Sequence, residues 1–178
     1  MEAQTQTLSK TMWAVDQAHS EFVFKVRHMM ISSVTGRFTN FEVNATTEGD
    51  GFENPQVDVK VDVNSISTNV EDRDNHLKSN DFFAADQFPF MTFTSKAYEG
   101  DTLVGDLTIR DITKEVTLNI QFNGIAQDPY GQTKAGFEIT GDINRKDFNL
   151  TWDAITEAGN VVVADKIKLQ IEVQLVKQ

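Results

Sequence analysis

His19 stands three residues after Asp16 in the run VDQAHS. A histidine beside a carboxylate can act as an oriented general base. At the opening of a strand, His19 and Ser20 more simply satisfy backbone groups, and that is the expected role. His28 follows Phe24 and Val26 on one alternating face. It could hold a ligand's polar head, or sit half-buried and hydrogen-bonded within the wall. Arg73, Asp74 and His76 form the densest ionisable cluster, in EDRDNHLKS. One histidine among scattered carboxylates lacks the ligand spacing of a metal site. The cluster also lacks a nucleophile. It is expected to be an ion-pair and capping network that pins its segment to the rest of the fold, with a head-group contact as the alternative.

The chain holds 3 histidines and no cysteine. Disulfides, thiolate metal sites and cysteine nucleophiles are therefore excluded. There is no Gly-rich phosphate loop, no GxSxG elbow and no HExxH motif. No cofactor, no metal and no catalytic residue is expected.

Composition narrows the partners. The formal net charge of −11 argues against a nucleic-acid backbone and against anionic membrane surfaces, both of which attract clustered Lys and Arg. It favours solubility. With 178 residues, 39% hydrophobic and 24% charged, the chain fits one globular domain with a real core. Thirteen phenylalanines must lie in a core, a lipid-like cavity or an interface. The opening residues, Met1 to Lys10, are polar, and no basic start leads into an apolar run. Nothing approaches the ~20 apolar residues of a membrane helix. The expected organisation is a disordered polar N-terminus over 1–11 and one domain over 12–178. The expected location is cytoplasmic, or periplasmic if a signal peptide has been removed.

The elements that must position these residues announce themselves by alternation. Phe22, Phe24 and Val26 alternate with Glu21, Lys25 and Arg27. Val57, Val59, Val61 and Val63 alternate with Asp58, Lys60 and Asp62. Val116, Leu118, Ile120 and Phe122 do so with Thr117, Asn119 and Gln121, and Ile167 to Leu175 repeat the pattern. This is the signature of antiparallel strands with one buried face. Turn signals separate them at EGDG (48–51), EGD (99–101), DPYG (128–131) and AGN (158–160). Further strands are predicted near 35–46, 90–98, 103–110 and 134–148. The charged run Asn69 to Phe83 lacks alternation, Gly and Pro, and reads as a helical connection. An irregular turn is predicted over Met29 to Ser33. One-face-apolar strands in one domain make a sandwich or a closed barrel, and about eight strands closed on themselves hold side chains or one small ligand.

The ordered motifs resemble the YceI-like family of polyprenoid-binding proteins. The resemblance runs from Trp13 to about Val176. WAVDQAHSEFVFKVRHMMISSVTGRF is similar to the family's opening. SISTNVEDRDNHLKSNDFFAADQFPFMTFTS carries its Arg-Asp-x-His-Leu and Phe-Pro strings, and GDLTIRDITKEVTL and INRKDFNL resemble later elements. Two positions depart: Asp111 and Asn149 stand where glycine is expected. Asn tolerates positive φ, whereas Asp111 suggests a locally altered hairpin. The resemblance implies an all-β fold, a single antiparallel, roughly eight-stranded lipocalin-like β-barrel with a short helical connection near 69–83. It further implies that the lumen holds a polyisoprenoid, quinone or fatty-acid-like chain, for transport, storage or sensing, and that the protein is a homodimer.

On that reading the lining comprises Phe22, Phe24, Val26, His28, Phe38, Phe93, Leu107, Ile109, Phe122 and Phe137, with Met29, Met30 and Trp152 as further candidates. Met adapts to irregular apolar shapes, though core filling explains it equally. His28 or Arg73 would meet the head. The partner is an apolar lipid, with no nucleic acid and no stable membrane insertion. The alternatives are an enzyme acting on a small hydrophobic substrate in the barrel, and a ligand-free, stress-related scaffold.

Overall fold

The computed structural model describes residues 9–153 and 162–178. The alternating segments form β1 (Lys10–Val15), β2 (Glu21–His28), β3 (Ser32–Phe38), β4 (Phe41–Glu48), β5 (Glu53–Asp62), a two-residue β6 (Ile66–Ser67), β7 (Phe90–Glu99), β8 (Thr102–Ile109), β9 (Ile112–Gln127), β10 (Thr133–Asn144) and β11 (Val163–Lys177). The charged run forms α1 (Glu71–Lys78). Acidic residues in its first turn and Lys78 in its last complement the helix dipole.

All strand pairings are antiparallel, and they close. β1 pairs with both β4 and the end of β11 (Trp13↔Ala45, Trp13↔Lys177). β2 pairs with β3 and with the earlier part of β11 (Phe22↔Phe38, Phe22↔Ile171). So β1 and β2 act as one bent strand, β3 and β4 as its bent neighbour, and β5 and β6, which pair with β4 and β3, as the next. Counted this way, the wall is a closed 8-stranded barrel. Closure removes the free edges of an open sheet.

The bends have local causes. Between β1 and β2, the Asp16 carboxylate accepts from the Ala18 backbone N–H at 3.1 Å and caps a single 3-10 turn. Ser20 Oγ accepts from Gln174 N at 3.0 Å, tying the bend to β11. The predicted 35–46 strand breaks at Thr39 and Asn40. There the neighbouring segment changes: Thr39 N–H donates to Ser65 O, and Asp62 N–H donates to Asn40 O.

The predicted 134–148 strand ends at Asn144, which caps Lys146 N at 3.0 Å. A 3-10 turn follows (Arg145–Phe148), and Asn149 closes it with φ 59. Asparagine thus supplies the left-handed backbone that glycine would otherwise give. In the β8–β9 hairpin Arg110, not Asp111, takes positive φ (56). Glycine is therefore not needed at 111. The expected disordered stretch 1–11 requires a correction at its end, because Lys10 and Thr11 pair with β4. Residues 1–8 lie outside the described residues, as does the AGN turn.

The inward faces meet in one apolar core. It includes Trp13, Phe41, Ala135, Ile109, Phe148 and Leu150. Close packing is visible at Gly36, where a Cβ would lie 2.2 Å from the Phe24 ring. A side chain there would displace the ring from its seat.

Candidate ligand site

The barrel is not filled solid. Two adjoining chambers lie along its axis. The first, about 120 Å³, is walled by residues such as Val43, Val59, Leu103, Leu118 and Val173. The second, about 300 Å³, is walled by Phe24, Val26, Phe38, Leu77, Ile109 and Ile167 among others. Phe22, Met91, Leu107, Ile143 and Leu169 border both. Alternation explains the wall's chemistry: each strand turns its apolar set inward and its polar set to water.

The two ends differ. At the first chamber four rings pack against one another. Phe52 lies 5.5 Å from Trp13 and 4.7 Å from Phe137, and Phe122 lies 5.1 Å from Phe137. Trp13 buries its indole and donates to Thr47 Oγ1 at 2.9 Å, so its one polar atom is satisfied. This end is an aromatic stopper.

Polar side chains gather instead around the second chamber: Arg27, His28, Thr68, Arg73, His76 and Arg145. Arg73 donates from Nε to Thr68 Oγ1 (2.8 Å) and from Nη2 to Thr68 O (2.7 Å). Asp74 accepts from the same threonine, at N (2.8 Å) and Oγ1 (2.5 Å). The pair clasps β6 to α1. His76 Nε2 lies 2.9 Å from Asp81, and its ring stands edge-on to Trp152 at 4.7 Å and to Phe82 at 5.2 Å. Arg145 is only 3% exposed. It donates to the carbonyls of Leu150 (2.6 Å), Trp152 (2.8 Å), Ala164 (2.9 Å) and Val163 (3.2 Å). Asp153 and Asp165 lie 3.5 and 3.8 Å from its Nη2. Arg145 thereby fixes the segment that carries Trp152.

A family model described as the YceI-like domain matches residues 13–175. The chain belongs to the YceI-like family. A UPF0312 protein of Staphylococcus epidermidis is 37% identical over 161 residues, which cover 90% of this chain and 94% of the relative. A Staphylococcus aureus counterpart is equally similar. Among solved structures, the Campylobacter jejuni YCEI protein is 33% identical and has a TM-score of 0.73, covering 86% of this chain and 91% of its own. A polyisoprenoid binding domain from Saccharophagus degradans has a TM-score of 0.66 at 13% identity, with 93% and 98% coverage, and shares the fold.

Within this YceI-like barrel, Phe22, Phe24, Val26, His28, Phe38, Leu107, Ile109 and Trp152 border the second chamber, with Arg73 and His76. Phe93 and Phe137 border the first. Three expectations need correction. Met29 and Met30 form the β2–β3 turn with φ 51 and 58, and they are 41% and 57% exposed. A turn that needs left-handed backbone at both positions carries their side chains away from the wall. Phe122 faces inward by alternation but is 45% exposed. β9 outruns its partner there, since the last β8 pairing is Thr102↔Asn119. Asp74 borders neither chamber; its carboxylate accepts from Thr68 N and Oγ1, a capping role of the kind expected for this cluster.

Reading the sequence also missed functional wall residues. Val43, Met91, Leu103 and Leu169 line the lumen, and Arg145 borders its polar end. The signal for Arg145 was present. Counting by twos from Phe137, Ile139 and Ile143 arrives at Arg145 on the inward face.

The His19–Asp16 pair is structural. His19 Nδ1 lies 2.8 Å from Asp16 Oδ2, and Lys134 Nζ lies 2.7 Å from the same oxygen. Lys134 also reaches Asp128 at 3.4 Å. The hydrogen bond from Lys134 holds the Asp16 carboxyl below its ordinary range, against burial, with His19 adding to the effect. Among the described residues no group of three or more His, Cys, Asp and Glu side chains could hold a metal ion.

Proposed function

We propose that this protein binds one long-chain apolar lipid inside the barrel, as a carrier or store. The observation that carries the reading is the pair of adjoining chambers walled by inward apolar side chains, with the arginine and histidine side chains confined to one of them. The tail would run toward Phe52 and Phe137, and the head would stay beside His28 and His76. Burial of the tail supplies the affinity, at roughly 0.8 kcal/mol per methylene. The description of the Saccharophagus domain as polyisoprenoid binding supports a prenyl tail as the first chain to test.

The test is native mass spectrometry of protein purified from its own host, followed by organic extraction. A co-purifying lipid of defined mass is expected. A clean apo mass, with no uptake of prenyl or acyl lipids on incubation, would overturn the reading.

The proposal includes a homodimer. It is supported by the stretch of β9 past Asn119. That stretch keeps β10 on one side and no further strand on the other among the described residues. Sedimentation velocity tests it, with a single monomer boundary counting against pairing.

A further inference from the structure

We infer that the lipid head is uncharged, with an oxygen that hydrogen-bonds the His28 imidazole, rather than a phosphate or diphosphate. The inference rests on lumen binding and adds the chemistry of the head.

It follows from the cationic and imidazole side chains that line the second chamber. Arg145 is buried, and four backbone carbonyls and two carboxylates surround its guanidinium. A guanidinium has five N–H donors in a fixed fork. Little of this one is left to offer. Arg73 donates to Thr68 through Nε and Nη2, and the Asp74 carboxylate binds that same threonine. His76 is paired with Asp81 and wedged between Phe82 and Trp152. Arg27 is exposed and donates to Met30 O at 3.0 Å. An anion could meet it only in water, where an ion pair contributes little. No lysine borders the chamber.

His28 is different. It sits half-buried on the chamber wall, opposite Val163 in β11 and Ser32 in β3. No hydrogen bond or ion pair engages its ring among the described residues. One neutral oxygen would satisfy it, whether a hydroxyl donating or accepting or a carbonyl accepting. A diphosphate brought here would lose its water and gain no bidentate arginine in return. The chain's net charge of −11 adds a repulsive field.

The experiment compares geranylgeraniol, geranylgeranyl diphosphate and the hydrocarbon phytane, each titrated into delipidated full-length protein with tryptophan fluorescence as readout. The alcohol is expected to bind at least ~10-fold tighter than the diphosphate, because a buried, unpaired charge costs more than one neutral hydrogen bond returns. His28→Leu should weaken the alcohol about fivefold, the scale of one neutral hydrogen bond, while leaving phytane unchanged. His28→Gln should restore the alcohol, since it keeps a donor and an acceptor at that place. A diphosphate that binds as tightly as the alcohol overturns the inference and leaves lumen binding standing. Equal loss for alcohol and phytane in His28→Leu also overturns it, because the residue would then only shape the wall. Failure of all three ligands to bind overturns lumen binding itself.

Discussion

The ring of Phe24 on β2 lies flat across Gly36 on β3, the residue paired directly with it. A Cβ on Gly36 would stand 2.2 Å from the ring's Cζ, which no packing tolerates. The ring must therefore move if the glycine gains a methyl group. Gly36→Ala is expected to cost about 1–3 kcal/mol, the usual range for overpacking a tight wall. Urea denaturation measures this directly. An unchanged midpoint would show that the ring has another seat.

Leu107 borders both chambers. A larger ring there would stand across the passage between them. Leu107→Trp should fold, with a loss of about 1–3 kcal/mol. It should then bind short acyl chains nearly normally and long prenyl chains poorly. Isothermal titration with a chain-length series checks this. Equal affinities across the series would mean that one chamber suffices for the ligand.

Arg145 anchors Leu150 and Trp152 through their carbonyls. Arg145→Met would leave those carbonyls without their guanidinium donor and would take the positive charge away from Asp153 and Asp165. The expected cost is about 3–5 kcal/mol, as for breaking a buried charged network from one side. Lysine should not rescue it, because a single ammonium cannot reach the four carbonyls that a planar fork spans. Trp152 emission, read against a Trp13→Phe background, should shift red in the variant as the indole leaves His76 and Phe82.

The Asp16–Lys134 pair gives the fold a defined pH response. Asp16 is held below its ordinary value of 3.8, chiefly by the hydrogen bond from Lys134. A lowered carboxyl stabilises the fold at pH values above the unfolded pKa, and the contribution disappears as pH falls through the folded one. Lys134 is held above 10.5, chiefly by Asp16. Its contribution is complete below the unfolded value and is lost as pH rises through the raised one. Asp16→Asn should therefore destabilise the protein at neutral pH, and the gap to wild type should close in acid. Thermal melts across a pH series read this. A gap that stays constant into acid would show that the ion pair with Lys134 is not its source, since asparagine keeps the acceptor that caps Ala18.

The parts legible in the sequence were those governed by period two. Val57 to Asp62, Val116 to Ile120 and Ile167 to Leu175 lie in strands whose inward residues are the apolar set, because burial selects every second side chain. The charged run before Phe83 did become a helix. What alternation could not give was where a strand changes partner. Nothing in Thr39 and Asn40 announces that β3 and β4 have different neighbours, since that depends on where Ile66 and Val61 come to rest. Met29 and Met30 misled for a related reason. Their apolar character suggested the wall, but the tightness of the turn decided their direction. Arg145 was hidden by its charge, which invites an exterior placement until the carbonyls that surround it are seen.

The pairing of Trp13 with Lys177 has a temporal side. The strand that begins the barrel can be sealed only by the strand that ends it, so the wall stays open until β11 has left the ribosome. Until then the apolar face of β1 and β2 lacks its partner on one side. Contacts between such distant parts of a sequence make for slow folding. Trimming the last few residues would remove β1's partner on that side, while β2 would keep its pairing with Ile167 to Glu172 and hold the wall closed there, so the seam would open only beside β1.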